Sequence, residues 1–399
     1  MARIGIYGGS FNPVHNGHVL AAEEFVRAFS LDRLLVIPTG TPPHKELADG
    51  SPSSGERAEL LRLAMARIPQ AEIDETELHR EGKSYTYDTL LSLRQRFPGD
   101  ELFLLIGTDM FLTFREWYRF NDILSLVTLV VFQRHAAGNE ERQKIQMQKH
   151  ALAQEFGADI VLHMNDFVDV SSTLVRRMLI LGCGVSYLPF AVHERILEKR
   201  MYLSGADFKN LSADELLRVC RLLYDDKRVH HAIGCSETAA ALARLYGADE
   251  EDAVRAGILH DITKVLGARE QLRLCEKYAI ITDDYRGDQT KLLHGKTASA
   301  AAKQIFGEND AVCDAISWHT TGKADMSLLE KIIYIADYVE PNRNFDGVEE
   351  LRQLAFSDLD AAVYRGVCMT IELLKENKKT LNRHSVEARD FLAAKGMKE

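Results

Sequence analysis

The chain has no surplus of basic residues: 49 Lys and Arg stand against 59 Asp and Glu, a formal net charge of −10. A broad nucleic-acid face needs clustered positive charge, so no nucleic-acid partner is expected; small anionic substrates held by a few local cations remain open. Cysteine is scarce and scattered. Cys183, Cys220, Cys235, Cys275, Cys313 and Cys368 form no CxxC pair, which argues against a zinc knuckle or disulfide framework and for a reducing compartment. No apolar run approaches the roughly 18 residues of a membrane helix, and the opening ARIGIYGGSF lacks a signal peptide's pattern. A cytoplasmic protein with no membrane partner is expected. Proline is sparse too (9), and at 46% hydrophobic and 27% charged residues the composition is globular; 399 residues favour two domains.

Residues 1–203 alternate β-type runs with amphipathic helical runs. Strands are expected at Ile4–Tyr7, Leu34–Ile37, Glu72–Thr76, Leu102–Ile106, Thr128–Phe132 and Asp159–Leu162. Helical periods fall at Val19–Phe29, Glu56–Arg67, Tyr87–Arg96, Glu140–Phe156, Ser172–Leu181 and Pro189–Met201. This alternation predicts an α/β, Rossmann-like parallel sheet covered on both faces, with ligands beyond the strands' carboxyl ends. After the polar connector SGADFK the strand signal fades. Residues 204–399 read as an all-α domain, with helices at Ser212–Tyr224, Ala232–Tyr246, Glu251–His260, Thr297–Phe306, Asp310–Trp318, Ser327–Val339 and Asp358–Glu376.

Two segments of the first half carry chemistry. GGSFNPVHNGH (8–18) follows the first strand and opens the first helix; Gly8 and Gly9 allow a close ligand approach, and the helix N-terminus suits phosphate. His15 and His18 supply two donors for charge developing on a phosphoryl group. Late in the half, Val170-Ser171-Ser172-Thr173-Leu174-Val175-Arg176 starts a helix after the last strand. The pair HxGH and SSTxxR resembles the nucleotidylyltransferase superfamily. Thr41-Pro42-Pro43-His44-Lys45, Ser84–Thr89, Gly107-Thr108-Asp109 and Trp117, in that order, make residues 1–203 similar to nicotinate-nucleotide adenylyltransferases.

The resemblance implies transfer of AMP from ATP, with Mg²⁺, to nicotinate ribonucleotide, giving deamido-NAD and pyrophosphate. It implies an ATP site of Gly8, Gly9, Ser10, Phe11, His18, Gly107, Asp109, Ser171, Ser172, Thr173 and Arg176. Lys45, Thr86, Trp117 and Arg134 would hold the nicotinate nucleotide, with His15, His18 and Lys45 as catalytic groups. A flat indole suits stacking on a pyridine ring.

In the second half His231, His260-Asp261, His294, His319 and Asp337 lie on separate helical segments, and such side chains can converge on metal in a bundle core. Imidazole with carboxylate suits iron, manganese or zinc. The set resembles the HD-domain phosphohydrolases, and the strings around it resemble the YqeK-type family. That resemblance implies symmetric hydrolysis of diadenosine tetraphosphate to two ADP by two metal ions, iron first among them. His231, His260, Asp261 and Asp337 would hold one ion, His294 and His319 would complete a second, and Asp261 and Lys264 would be catalytic. His230 stays an alternative to His231. Other readings stay open: another phosphate acceptor for the first half, and a nucleotidase, an alarmone hydrolase or a regulatory nucleotide-binding module for the second. Oligomeric state is open, a homo-oligomer included.

Overall fold

The structure, a computed structural model, describes residues 1–40, 47–48, 50–134, 138–165, 170–282, 285 and 287–397, with the backbone alone at 134. The chain forms two compact units, Met1–Gly205 and Ala206–Glu399.

The first unit is built on β1 (Arg3–Gly9), β2 (Arg33–Pro38), β3 (Ala71–Ile73), β4 (Glu101–Gly107), β5 (Thr128–Arg134) and β6 (Ile160–Asn165). They form one sheet in the order β3-β2-β1-β4-β5-β6, all neighbours parallel. Ile4, Ile6, Leu34–Ile37, Leu102–Ile106 and Leu129–Phe132 are buried, as expected of strands covered on both faces. Its helices are α1 (Asn16–Phe29), α2 (Ser54–Met65), α3 (Thr86–Arg96) and α4 (Thr108–Leu112). After these come α5 (Phe120–Leu126), α6 (Asn139–Phe156), α7 (Ser172–Ile180) and α8 (Phe190–Glu198). On α1 the buried face is Ala21, Ala22, Phe25 and Phe29, with Val19 and Val26 at its margin. Phe25 lies over Gly5 of β1, where a Cβ would come within 2.9 Å of its ring.

Strand order reverses between β1 and β4, and a crevice opens beyond the carboxyl ends at such a switch point. The turn at 10–15 leaves β1 there, and Thr108-Asp109 leaves β4 beside it.

The second unit is helical: α9 (Ala213–Leu223), α10 (Asp226–Tyr246), α11 (Glu250–Leu259), α12 (Ala268–Lys277) and α13 (Leu293–Ala301). It continues with α14 (Asp310–Trp318), α15 (Leu328–Val339), α16 (Val348–Ala355), α17 (Leu359–Glu376) and α18 (Arg383–Ala394). The helix expected over Thr297–Phe306 begins earlier, at Leu293, and ends in a π turn over Ala302–Phe306 closed by left-handed Gly307. Helix α10 packs on α11 and α15, and α14 packs on α13 and α15. No described helix is long and apolar enough to cross a membrane.

Candidate active sites

In the first unit Gly8 and Gly9 close β1 itself, and the left-handed residue of the turn is Phe11 (φ 44°). Backbone freedom is therefore not what these glycines supply. A Cβ on Gly8 would meet nothing within 4 Å, whereas one on Gly9 would press on the Phe11 ring at 3.2 Å. Phe11 is buried and meets the His18 ring edge-on at 5.0 Å. His15 stands at the start of α1, and its ring stacks on His18 at 3.7 Å. The His15 backbone N–H donates to His18 Nδ1 at 3.2 Å. An Nδ1 that accepts leaves Nε2 as the protonated nitrogen of a neutral imidazole, so His18 presents a donor. Burial keeps both rings neutral. It lowers His15 to about 4, and burial followed by the neighbouring His15 holds His18 well below the ordinary histidine range.

The α7 segment closes on this turn. Ser171 Oγ caps the helix by accepting from the Leu174 N–H (3.1 Å), and Ser172 Oγ donates to the Pro13 carbonyl (2.9 Å). Arg176 donates from Nη1 to the Asn12 carbonyl (2.6 Å) and from Nη2 to Thr173 Oγ1 (3.2 Å). Residues far apart in sequence thus form one bracket around the turn at 10–15. Arg57 of α2, 0% exposed, adds a second brace: it donates to Ser10 O (2.6 Å), Thr39 O (2.9 Å) and Gly40 O (3.3 Å). Sequence reasoning missed Arg57, although an arginine beside buried Ala58, Leu60 and Leu61 on a helix was a visible signal.

Thr86 opens α3, and exposed Asp109 stands in the first turn of α4, where a Cβ on Gly107 would lie 2.8 Å from its Oδ1. Trp117 is half-buried, packs on the sheet's core and lies 5.2 Å from the Phe114 ring. No hydrogen bond joins Thr86, Asp109 or Trp117 to the His15–Arg176 group among the described residues. Lys45 and the Arg134 side chain lie outside the described residues.

In the second unit the packed helices bring six side chains together. His231 comes from α10, His260 and Asp261 from the end of α11, His294 from α13, His319 from the end of α14, and Asp337 from α15. All are buried, and His230 is exposed, which places His231 and not its neighbour in the cluster. The Nδ1 atoms of His260, His294 and His319 meet carbonyls three residues back, Gly257 O (2.8 Å), Lys291 O (2.6 Å) and Ile316 O (2.7 Å). His231 Nδ1 meets Glu340 Oε1 at 3.0 Å. These partners only accept, so each Nδ1 carries the proton and each Nε2 lone pair points inward.

Inside, His231 Nε2 lies 3.1 Å from His260 Nε2, and His294 Nε2 lies 3.2 Å from His319 Nε2. Lone pairs at that range repel unless a cation sits among them. Buried Asp261 Oδ1, 3.2 and 3.4 Å from His294 and His319 Nε2, makes no hydrogen bond. The residues therefore fit a metal centre. His231, His260 and Asp337 form one group able to hold an ion, and His260, Asp261 and His319 form another. Asp261 lies between the two histidine pairs, with Oδ2 3.6 and 3.5 Å from His231 and His260 Nε2 and Oδ1 facing His294 and His319.

Both aspartates stay ionised despite burial. Burial would raise both carboxyls, but the Lys264 cation beside Asp261 and the Arg343 guanidinium beside Asp337 help hold them well below the ordinary carboxylate range. Arg228 Nη1 (2.6 Å) and Lys264 Nζ (3.3 Å) reach Asp261 Oδ2, and Arg343 Nη2 reaches Asp337 Oδ1. Three cations beside a metal-ligand cluster suit an anionic substrate. Sequence reasoning assigned no role to Arg228, Glu340 or Arg343, although all three stand in the strings around the metal ligands.

The Cytidylyltransferase-like family model matches residues 6–178, and the HD domain model matches residues 228–342. A probable nicotinate-nucleotide adenylyltransferase of Geobacter metallireducens is 38% identical over 212 residues, 50% of this chain and 98% of the relative. One from Shouchella clausii is 36% identical over 202 residues, 50% of this chain and 96% of its own. A solved structure from Clostridium acetobutylicum, described as a predicted HD superfamily hydrolase involved in NAD metabolism, is 37% identical; it covers 46% of this chain and 98% of its own, with a TM-score of 0.44. Through its first half the chain belongs to the nicotinate-nucleotide adenylyltransferase family, and a separate HD domain is fused behind that half.

Proposed function

We propose that the chain is a bifunctional cytoplasmic enzyme, with residues 1–203 carrying adenylyl transfer and residues 204–399 a metal-dependent phosphohydrolase. The convergence of His15, His18 and the α7 bracket on one phosphate loop at the switch point carries the first assignment. A phosphate oxygen of nicotinate ribonucleotide attacks the α-phosphorus of ATP, the new P–O bond forms in line, and the bond to pyrophosphate breaks; Mg²⁺ bound to the ATP phosphates would offset their charge. The His18 Nε2–H donates to the charge growing on the α-phosphoryl oxygens, the Gly8 face leaves room for the phosphates, and positioning does the rest. Lys45, Thr86, Trp117 and Arg134 are assigned to the acceptor nucleotide, and Asp109 to the ATP. Purified chain supplied with ATP and nicotinate ribonucleotide should yield deamido-NAD and pyrophosphate; turnover only with another phosphate acceptor would overturn the assignment.

In the second half, metal ions held by the six ligands would polarise a phosphoryl group and activate water near neutral pH. Arg228, Lys264 and Arg343 would draw the substrate's phosphates toward that cluster. We assign diadenosine tetraphosphate as substrate, cut symmetrically. Product chromatography should then show two ADP; equal AMP and ATP would overturn symmetric cleavage, and no hydrolysis with added iron or manganese would favour a regulatory module.

A further inference from the structure

Three of the four cluster histidines are oriented by backbone carbonyls of their own helical turns, but His231 is not. Its Nδ1 is met by the Glu340 side chain, 1% exposed, from just beyond the end of α15. Both oxygens of that carboxylate are engaged. Oε1 faces His231 Nδ1, while Oε2 accepts from the backbone N–H (2.7 Å) and Nδ2 (2.8 Å) of Asn342. Asn342 Nδ2 in turn donates to the His230 carbonyl (3.2 Å), tying the arrangement back to α10. Room for it comes from a glycine. A Cβ at Gly234, one turn after His231 on α10, would lie 2.3 Å from Glu340 Oε2 and 3.1 Å from Asn342 Nδ2. A glycine inside a helix is less favourable than alanine, and here the space it leaves is filled by a buried carboxylate.

We infer that Glu340 is the positioning residue that turns His231 into a metal ligand, and that Gly234 is glycine to admit it. The inference rests on the metal-centre reading above. A carboxylate accepts on both edges, so it can take the His231 Nδ1–H and both Asn342 donors at once. A glutamine cannot. With its oxygen toward Asn342 it turns an NH₂ to His231, which then accepts at Nδ1 and carries its proton on Nε2, where the lone pair is needed. With its oxygen toward His231 it sets NH₂ against two donors.

The test measures metal per chain, by elemental analysis after reconstitution with Mn²⁺ and desalting, together with ¹⁵N spectra that report the protonated nitrogen of His231. Wild type should retain metal; a metal-free wild type would defeat the metal-centre reading itself. Glu340→Gln should retain at least tenfold less metal in the His231 group, with the His231 proton on Nε2. Gly234→Ala should reproduce the metal loss, although alanine favours helix. In a Glu340→Ala background, where the clash is gone, Gly234→Ala should cause no further loss. Full metal retention and an Nδ1-protonated His231 in Glu340→Gln would overturn the inference. If both Glu340 variants fail to fold, Gly234→Ala decides alone: metal content equal to wild type would overturn it.

Discussion

His18 illustrates how one backbone hydrogen bond sets a side chain's chemistry. Because its Nδ1 is occupied by the His15 N–H, only Nε2–H is free to act, and burial keeps the ring neutral. Replacing His18 by Ala should lower adenylyl-transfer turnover by about 10²–10³, the usual effect of losing one transition-state donor; steady-state kinetics with ATP and nicotinate ribonucleotide would show it. His15 gives a pH prediction. Its folded pKa of about 4 lies below the ordinary 6.5, so the unfolded chain binds the proton first as pH falls. Its contribution is present above pH 6.5 and is lost between 6.5 and 4, about 3 kcal/mol in all. Denaturant midpoints of wild type and His15→Asn at pH 7.5 and 5.0 should show a smaller pH dependence in the variant; equal slopes would contradict the account. Trp117 tests a different kind of assignment, because its packing against Phe114 already explains its burial. If it also stacks on the nicotinate ring, Trp117→Ala should raise KM for that nucleotide well above any change for ATP, by roughly 1–3 kcal/mol of binding.

At the scale of elements, the strands and most helices were legible because their buried residues are apolar and regularly spaced. Helices α5, α12 and α16 were not expected, and four other cases are instructive. Helix α10 begins at Asp226, capped by Asp225, yet its apolar period becomes visible only from Ala232, because its early turns carry Arg228 and His231. The first turn of α13 is hidden in the same way: His294 occupies a buried position where a leucine would have announced it. Functional polar residues in a core erase the pattern that reveals a helix. Helix α18 escaped for another reason, since Ser385 and Ala388 contribute little contrast to its buried face. Helix α4, five residues long, is too short for any period. Residue types and order were enough to name the six-membered cluster; the position of Asp261 between the two histidine pairs is visible only in the fold. His294→Ala or His319→Ala should remove one metal equivalent and most hydrolysis; unchanged metal content would place the second ion elsewhere.

For the whole molecule, each proposed reaction belongs to a different compact unit. Composition and charge do not mark the boundary between the units; the change from alternating strands to continuous helix near residue 204 does. The most direct measurement is a crossed assay of the full-length chain, following deamido-NAD formation and diadenosine tetraphosphate hydrolysis in wild type, His18→Ala and His319→Ala. Wild type should perform both reactions, His18→Ala should lose only the first, and His319→Ala should lose only the second. Loss of both reactions in either variant, or a wild type that performs neither, would contradict it.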